Sequence, residues 1–364
     1  MKRDQTSTLL GRSSRRPATI HDVAARAGVS TATVSRTLAA PDLVSDEARA
    51  RVMVAIKATG YTPNVAARNL RARRTMLVLV IVPNIANAFF AEILRGIDDE
   101  LVASGYGLII GNLDNKAERE PRYVDLVFSG QVDAVLSLSA RVPSANGRMM
   151  SAAGLPMATI CVGIPGSDLP FVMVDNHKAA MAAVRHLVEL GHRRFGYIAG
   201  PADNMNDVQR RAGFVAAIEA AGMDPCRAVF WPGDFYFDAG AAVGRDFLAR
   251  ADRPTAIFSA SDYMAIGFMN TVTLGGVRVP EDVSIVGFDG IEFSEVVKPM
   301  LTTICQPRHE LGRVGARLLL ECLKGETRPA STYLEAPLLV RESTAPPPQV
   351  AARTRRNRAP APAV

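Results

Sequence analysis

This 364-residue sequence has little of what chemistry on a substrate requires. Its four cysteines, Cys161, Cys226, Cys305 and Cys322, are far apart, include no C-x-x-C and lack the close histidine partners of a zinc site, so they read as reduced core thiols. The five histidines, His21, His177, His186, His192 and His309, form no H-E-x-x-H or other ligand spacing. His192 in ELGHRRFGY follows a helix-ending Gly191, where a histidine can meet the last carbonyls. There is no G-x-G-x-x-G, no G-x-x-x-x-G-K-[ST] and no G-x-S-x-G, so dinucleotide, P-loop and hydrolase readings lack their glycine-built loops. Neither a metal, a cofactor nor an enzyme is expected. Aromatic residues make up 6%, with a single tryptophan. The longest apolar run, Met76 to Val82, falls well short of the roughly 20 residues that a spanning helix needs. The first 16 residues, with Lys2, Arg3, Asp4 and Gln5, contain no secretory apolar region. The expected setting is the cytoplasm, with no membrane partner.

What is present is an uneven charge. Residues 1 to 74 hold 14 Lys+Arg against 5 Asp+Glu, and residues 345 to 364 hold four arginines and no acid. Residues 75 to 344 carry 24 Lys+Arg against 31 Asp+Glu. A basic head on an acidic body points to a polyanion docking at one end, nucleic acid before an anionic membrane surface.

The texture divides the chain. Residues 1 to 17 are polar and basic without periodicity, and the Pro/Ala/Arg stretch 345 to 364 cannot bury a core, so both ends are expected to be disordered. In residues 18 to 62, Thr19 can cap a short helix with Ile20, Val23, Ala24 and Ala27 on one face, ended by Gly28. Ser30 can cap a second helix running to about Ala39. A third begins after Ser45, carries Ala48, Val52, Ala55, Ile56 and Thr59 on one face, and stops at Gly60. Residues 63 to 74 read as a hinge and linker. Across 75 to 344, strand-like runs such as MLVLVIV, YGLIIGN, VDAVLSLS, LPMATICV, RFGYIAG, TAIFSAS and VSIVGFD alternate with amphipathic stretches, including helices from about Lys178 and from Val208. Two such runs predict an α/β core of two doubly wound parallel-sheet lobes, with a ligand cleft at the carboxyl ends of the strands.

A second helix that reads DNA starts with small or polar residues and holds one side chain able to reach base edges. Thr31, Ala32, Ser35 and Arg36 share a face, leaving Val34, Thr37 and Leu38 to pack on the first helix. Arg36 can contact guanine through two hydrogen bonds, and Thr31, Ser35 and the helix N-terminus can bind phosphate. Spacing alone describes an ordinary three-helix unit with a solvated face equally well. The segments DVAARAGVSTATVSR and YTPNVAARNL, followed in the body by RRAGF, SDYMAIG, GFDGIEFS and LTTICQPRHELG, resemble the lactose/galactose repressor family from about Thr19 to Arg341. Within that family these phrases, with VPNIANAFFAEILRGI, look most like the cytidine-repressor branch.

The resemblance implies a helix-turn-helix head, a hinge helix and a periplasmic-binding-protein-like core. It places Thr31, Ala32 and Arg36 at base-reading positions, with Thr19, Ser30, Thr33 and Ser35 beside them in the DNA-binding surface. Asn64 to Arg71 would form the hinge helix, with Leu70 between Arg68 and Arg71 as a minor-groove wedge; kinking a step costs a few kcal/mol that contacts to the bent duplex can offset. Matching effector contacts are Phe89, Phe90, Asn204, Asn206, Arg210, Phe235, Ser261, Asp262 and Asp289, with Arg210 and Asp289 foremost. Ser261 stands where many sugar-binding members carry asparagine, and Cys161 where many carry aspartate, so the ligand is a sugar or a nucleoside. The reading is a homodimeric regulator, by family default a repressor, whose affinity for a near-palindromic double-stranded operator follows a small-molecule effector. The alternative, a solute-binding protein without a DNA role, leaves the +9 head unused.

Overall fold

The computed structural model describes residues 16, 18–62, 74–325 and 329–348. The chain divides into two compact units, Met1–Arg74 and Thr75–Val364.

Among the described residues of the first unit, three helices enclose a small core: α1 (Ile20–Ala27), α2 (Thr31–Ala39) and α3 (Asp46–Thr59). Thr19 opens α1 with a capping box, its side chain accepting from the Asp22 N–H while the Asp22 carboxylate accepts from the Thr19 N–H at 2.7 Å. Gly28 and Gly60 end α1 and α3 in the left-handed conformation that glycine adopts without strain. Val23, Ala24, Ala27, Val34, Val52 and Ala55 form the core. Val34 and Thr37 pack inward as expected, but Leu38 is exposed and takes no part in the core of this unit.

The second unit has two lobes. The first is a six-stranded parallel sheet in the order β13-β7-β6-β3-β1-β2, built from β1 (Leu77–Val82), β2 (Gly107–Asn112), β3 (Ala134–Ser137), β6 (Met157–Ile160), β7 (Phe171–Val174) and β13 (Thr332–Leu334). A two-residue hairpin, β4 (Ser144–Ala145) and β5 (Arg148–Met149), projects from it. Helices α4 (Phe89–Ala103), α5 (Glu120–Phe128) and α11 (Arg308–Lys324) flank this sheet. The second lobe is a sheet in the order β14-β12-β11-β10-β8-β9, from β8 (Phe195–Ile198), β9 (Val229–Trp231), β10 (Ala256–Ser259), β11 (Ser284–Asp289), β12 (Thr302–Cys305) and β14 (Leu338–Leu339). Among the described strands of this sheet, β14 runs antiparallel and the rest are parallel. Its helices are α6 (Asn176–Glu189), α7 (Met205–Ala220), α8 (Phe237–Ala249), α9 (Asp262–Leu274) and the short α10 (Phe293–Val296). Helices α6 and α7 start two to three residues earlier than their apolar faces suggest, since Asp175 and Asn204 cap polar first turns that periodicity cannot register. Among the described residues the chain crosses between lobes after β7, between β12 and α11, and between β13 and β14.

Strand order reverses at β1/β3 in one lobe and at β8/β10 in the other, and ligands bind beyond such switch points. Three expectations need correction. The His192 backbone N–H caps α6 on the Leu187 carbonyl, but its ring turns away, bonding Thr255 at 3.0 Å, Ser284 at 3.2 Å and the Ala345 carbonyl at 2.9 Å. Ala345 therefore lies bonded against the second lobe, inside the stretch expected to be free. Cys161 is buried, whereas Cys226 is exposed and is no core thiol.

Candidate functional site

On α2, Ala32 and Arg36 are exposed, and Thr31 and Ser35 are half-buried. Ser30 caps the helix by accepting from the Thr33 N–H at 3.1 Å, and the two hydroxyls bond each other at 2.9 Å. The Thr19 hydroxyl is held by Asp22. Thr19, Ser30 and Thr33 thus fix the ends of the helices, while Ala32 and Arg36 project from the second. Asn64, Arg68, Leu70 and Arg71 lie outside the described residues.

In the core a cavity of about 590 Å³ separates the lobes. Its walls are the loops that follow the carboxyl ends of β1, β2, β3 and β6 on one side and of β8, β9 and β11 on the other. Phe89, Phe90, Asn204, Asn206, Arg210, Phe235 and Asp289 all line it. Ser261 and Asp262 do not. The Ser261 hydroxyl caps α9 by accepting from the Met264 N–H, and the Asp262 carboxylate faces inward, accepting from Thr303 at 2.6 Å and from the Ile291 N–H at 2.9 Å.

Asp289 ends β11 with φ 123°, a backbone setting that few non-glycine residues adopt and that swings its carboxylate out of the sheet toward the cavity. Burial pushes its pKa up to about 6, opposed first by the Arg210 charge and then by the Gln306 amide, which donates at 2.9 Å. Behind it, burial and the Asp289 charge push Asp262 to about 8. Arg210 is 5% exposed. Its Nε donates to Asn176 Oδ1 at 2.8 Å, Nη1 donates to the Ala260 carbonyl at 2.5 Å, and Nη1 stands 3.9 Å from Asp289. The guanidinium sits 3.7 Å over the Phe288 ring and 5.9 Å from that of Phe235. Phe235 is held at φ 72°. A carboxylate and a guanidinium fixed beside an aromatic face can orient a neutral ligand bearing donors, acceptors and a flat or apolar body.

On the opposite wall Phe89 and Phe90 meet edge to face at 5.2 Å. Cys161 lies beside them at φ 67°, and burial pushes its thiol far above the ordinary range, so it is neutral. Sequence reasoning missed Glu120 and Arg141, which pair at 3.2 Å on this wall, with Glu120 also accepting from the Ser144 N–H at 2.8 Å. It also missed Asn115 and Tyr236, which join the two lobes by a 2.9 Å hydrogen bond. For Asn115, Arg141 and Tyr236 the available signal was a place in the loop after a strand end; Glu120, at the start of α5, had none. Among the described residues no group of three or more His, Cys, Asp or Glu side chains could hold a metal. No described helix is long and apolar enough to cross a membrane.

Residues 19–64 match the model for bacterial regulatory proteins of the lacI family, and residues 184–344 match the periplasmic binding protein-like domain. The HTH-type transcriptional repressor CytR of Escherichia coli K12 is 39% identical over 328 residues, covering 90% of this chain and 96% of its own. This chain belongs to the lacI family. The structure of the lac repressor dimer bound to operator and the anti-inducer ONPF superposes with a TM-score of 0.79 at 27% identity, covering 91% of this chain and all of that one. That of the transcriptional regulator CelR with cellobiose gives 0.68 at 36% identity, covering 90% and 100%. This lacI-family protein is a DNA-binding transcriptional regulator with an effector-responsive core, neither an enzyme nor a solute-binding protein.

Proposed function

We propose that this regulator represses transcription from a near-palindromic operator as a cytoplasmic homodimer, and that a nucleoside bound between its lobes sets its hold on DNA. The observation that carries the reading is the Arg210–Asp289 pair, buried against Phe288 and Phe235 and open to the cavity. A base offers an amide-like edge and a flat face that match a carboxylate, a guanidinium and facing aromatic rings, and a ribose offers hydroxyls to Asn204 and Asn206. The neutral Cys161 thiol is a poor acceptor for a dense ring of sugar hydroxyls, which favours the nucleoside over a pyranose.

In the head, Thr31, Ala32, Ser35 and Arg36 read the major groove, Arg36 supplying about 1–3 kcal/mol of discrimination through a bidentate contact. Thr19, Ser30 and Thr33 present helix ends to phosphates. Asn64, Arg68, Leu70 and Arg71 belong to a hinge segment in which Leu70 wedges the minor groove between basic neighbours. The effector changes operator affinity only by the difference in its affinity for two lobe arrangements.

The test is thermal-shift and calorimetric screening against nucleosides and sugars, repeated with Asp289→Ala and with operator duplex present. A nucleoside hit that Asp289→Ala abolishes and that alters duplex affinity supports the reading; binding of a pyranose alone replaces it. Removing residues before Thr75 is expected to abolish DNA binding and to retain the ligand.

A further inference from the structure

We propose that Gln306 and Arg308 are positioning residues that fasten the effector carboxylate to the crossover between the lobes, so that the state of the Asp289 turn is carried into the first lobe. This rests on the reading of Asp289 as an effector contact.

Three hydrogen bonds make the clamp. The Gln306 N–H donates to the Asp289 carbonyl at 3.2 Å, Gln306 Nε2 donates to Asp289 Oδ1 at 2.9 Å, and Arg308 Nη2 donates to the Gly290 carbonyl at 3.0 Å. They hold both peptides of a turn whose residues, at φ 123° and 69°, do not rest in an extended or helical well. There is no slack behind it, since a Cβ on Gly290 would meet the Cys305 backbone at 2.8 Å. Gln306 is 4% exposed, and the Arg308 side chain 9%. Neither lines the cavity.

The place of these residues in the chain gives the clamp its consequence. Gln306 follows β12 in the second lobe, and Arg308 is the first residue of α11 in the first. Helix α11 is locked to α4 by direct backbone approach: a Cβ on Gly96 would strike the His309 carbonyl, and one on Gly312 the Ile93 carbonyl. Helix α4 begins with Phe89 and Phe90, which line the opposite wall of the cavity. A displacement of the Asp289 turn therefore reaches Phe89 and Phe90 through two helices that cannot slide past each other. Arg308 Nη1 is buried with no hydrogen-bond partner among the described residues, a cost that a second arrangement of the turn can relieve.

The experiment compares the full-length protein with Gln306→Leu and Arg308→Met, using a palindromic operator duplex and cytidine as probes. Calorimetry gives the cytidine affinity, and duplex titrations with and without saturating cytidine give the ratio of operator affinities. Allosteric ratios commonly fall at about 5- to 150-fold. Arg308→Met is expected to bind cytidine within about threefold of wild type and to lose at least about fourfold of that ratio. Gln306→Leu, which frees the carboxylate itself, is expected to weaken cytidine and shrink the ratio together. An unchanged ratio in Arg308→Met overturns the clamp. If wild type does not bind cytidine, the nucleoside reading fails, and hydrogen exchange at residues 289–292 with and without duplex decides the clamp instead. A duplex-dependent change in wild type that disappears in Arg308→Met upholds it, and no change in wild type, or the same change in both, removes it. Equal melting midpoints in the two proteins exclude a merely structural loss.

Discussion

The two walls of the cleft are built on opposite principles. The second lobe brings buried charge to the cavity and supports it with aromatic rings: Tyr197, Phe214, Phe230, Phe258 and Phe288 touch one another at ring separations of 5.2 to 6.4 Å, and Arg210 rests on the last of them. The first lobe has an aliphatic core of Val78, Val80, Ile93, Ile97 and Leu136 and presents Phe89, Phe90, Val162 and a neutral thiol, with Glu120 and Arg141 paired to each other. One wall is prearranged and costly; the other sets aromatic and aliphatic side chains among polar ones, Asn87, Asn115, Lys116 and Ser139. A charged wall set in place before the ligand arrives loses little on reorganisation, whereas apolar side chains gain only on closing.

The sharpest way to break this contrast is to remove the cation. Arg210→Met leaves Asp289 without its principal compensation, and breaking a buried charge pair costs about 3–5 kcal/mol. Denaturant unfolding is expected to show that loss together with complete loss of effector binding. Phe90→Ala on the other wall is expected to cost less than half as much stability and to weaken the effector by about 0.5–1.5 kcal/mol. If both substitutions cost the same, the walls do not differ in kind.

Acidity tests the charged wall next. Asp289 and Asp262 have folded pKa values near 6 and 8, above the 3.8 of an unperturbed aspartate. The folded chain therefore keeps protons that the unfolded chain releases, and stability from these groups is full below about pH 4 and declines as pH rises toward 8. Buried His192 and half-buried His186 act oppositely, since loss of solvent lowers their pKa and their contribution is lost as pH falls below 6.5. Urea midpoints across pH 4 to 8 isolate the carboxylates when compared with Asp262→Asn, which is expected to lower the midpoint overall and flatten its decline. A slope unchanged in Asp262→Asn assigns the proton elsewhere.

Cys161 tests the first-lobe wall. Cys161→Asp sets a third carboxyl against Asp289, whose charge already acts on the thiol, and is expected to cost about 2 kcal/mol of stability, within the range for a buried polar group lacking a partner. Cys161→Ser is expected to cost about half of that. Equal midpoints for the two would place the side chain in contact with water.

Much of this arrangement was legible in the residues. Helix caps, the glycine stops of α1 and α3, and the alternating strands depend on neighbours within a few positions, so Thr19, Ser30, Ser45, Gly28 and Gly60 could be read directly. The family resemblance marked Asp289 and the Phe89–Phe90 pair, and Asp289 also stands at the end of a buried strand. Ser261 and Asp262 misled because a strand end followed by a helix supplies two places for a polar group, the cavity and the cap, and only the packing of Thr303 and Ile291 settles which. Leu38 and the His192 ring failed for the same reason: their surroundings come from segments that local periodicity does not contain. The Asn115–Tyr236 contact spans 121 positions and depends on lobe placement alone.

That contact yields the smallest expected effect and bears most directly on how the walls meet. Asn115 Nδ2 donates to the Tyr236 hydroxyl at 2.9 Å across the mouth, from a residue at φ 54° on one lobe to the residue after Phe235, itself at φ 72°, on the other. A neutral hydrogen bond contributes about 0.5–1.5 kcal/mol, and an exposed one sits at the lower end because water replaces it readily. Tyr236→Phe is therefore expected to leave the urea midpoint unchanged and to weaken the effector about two- to threefold, mainly through faster dissociation in stopped-flow traces. Faster dissociation would show that the first-lobe wall needs a tie to stay closed over the charged pair of the second. An unchanged rate would mean that apolar burial of Phe89 and Phe90 alone holds the cleft shut.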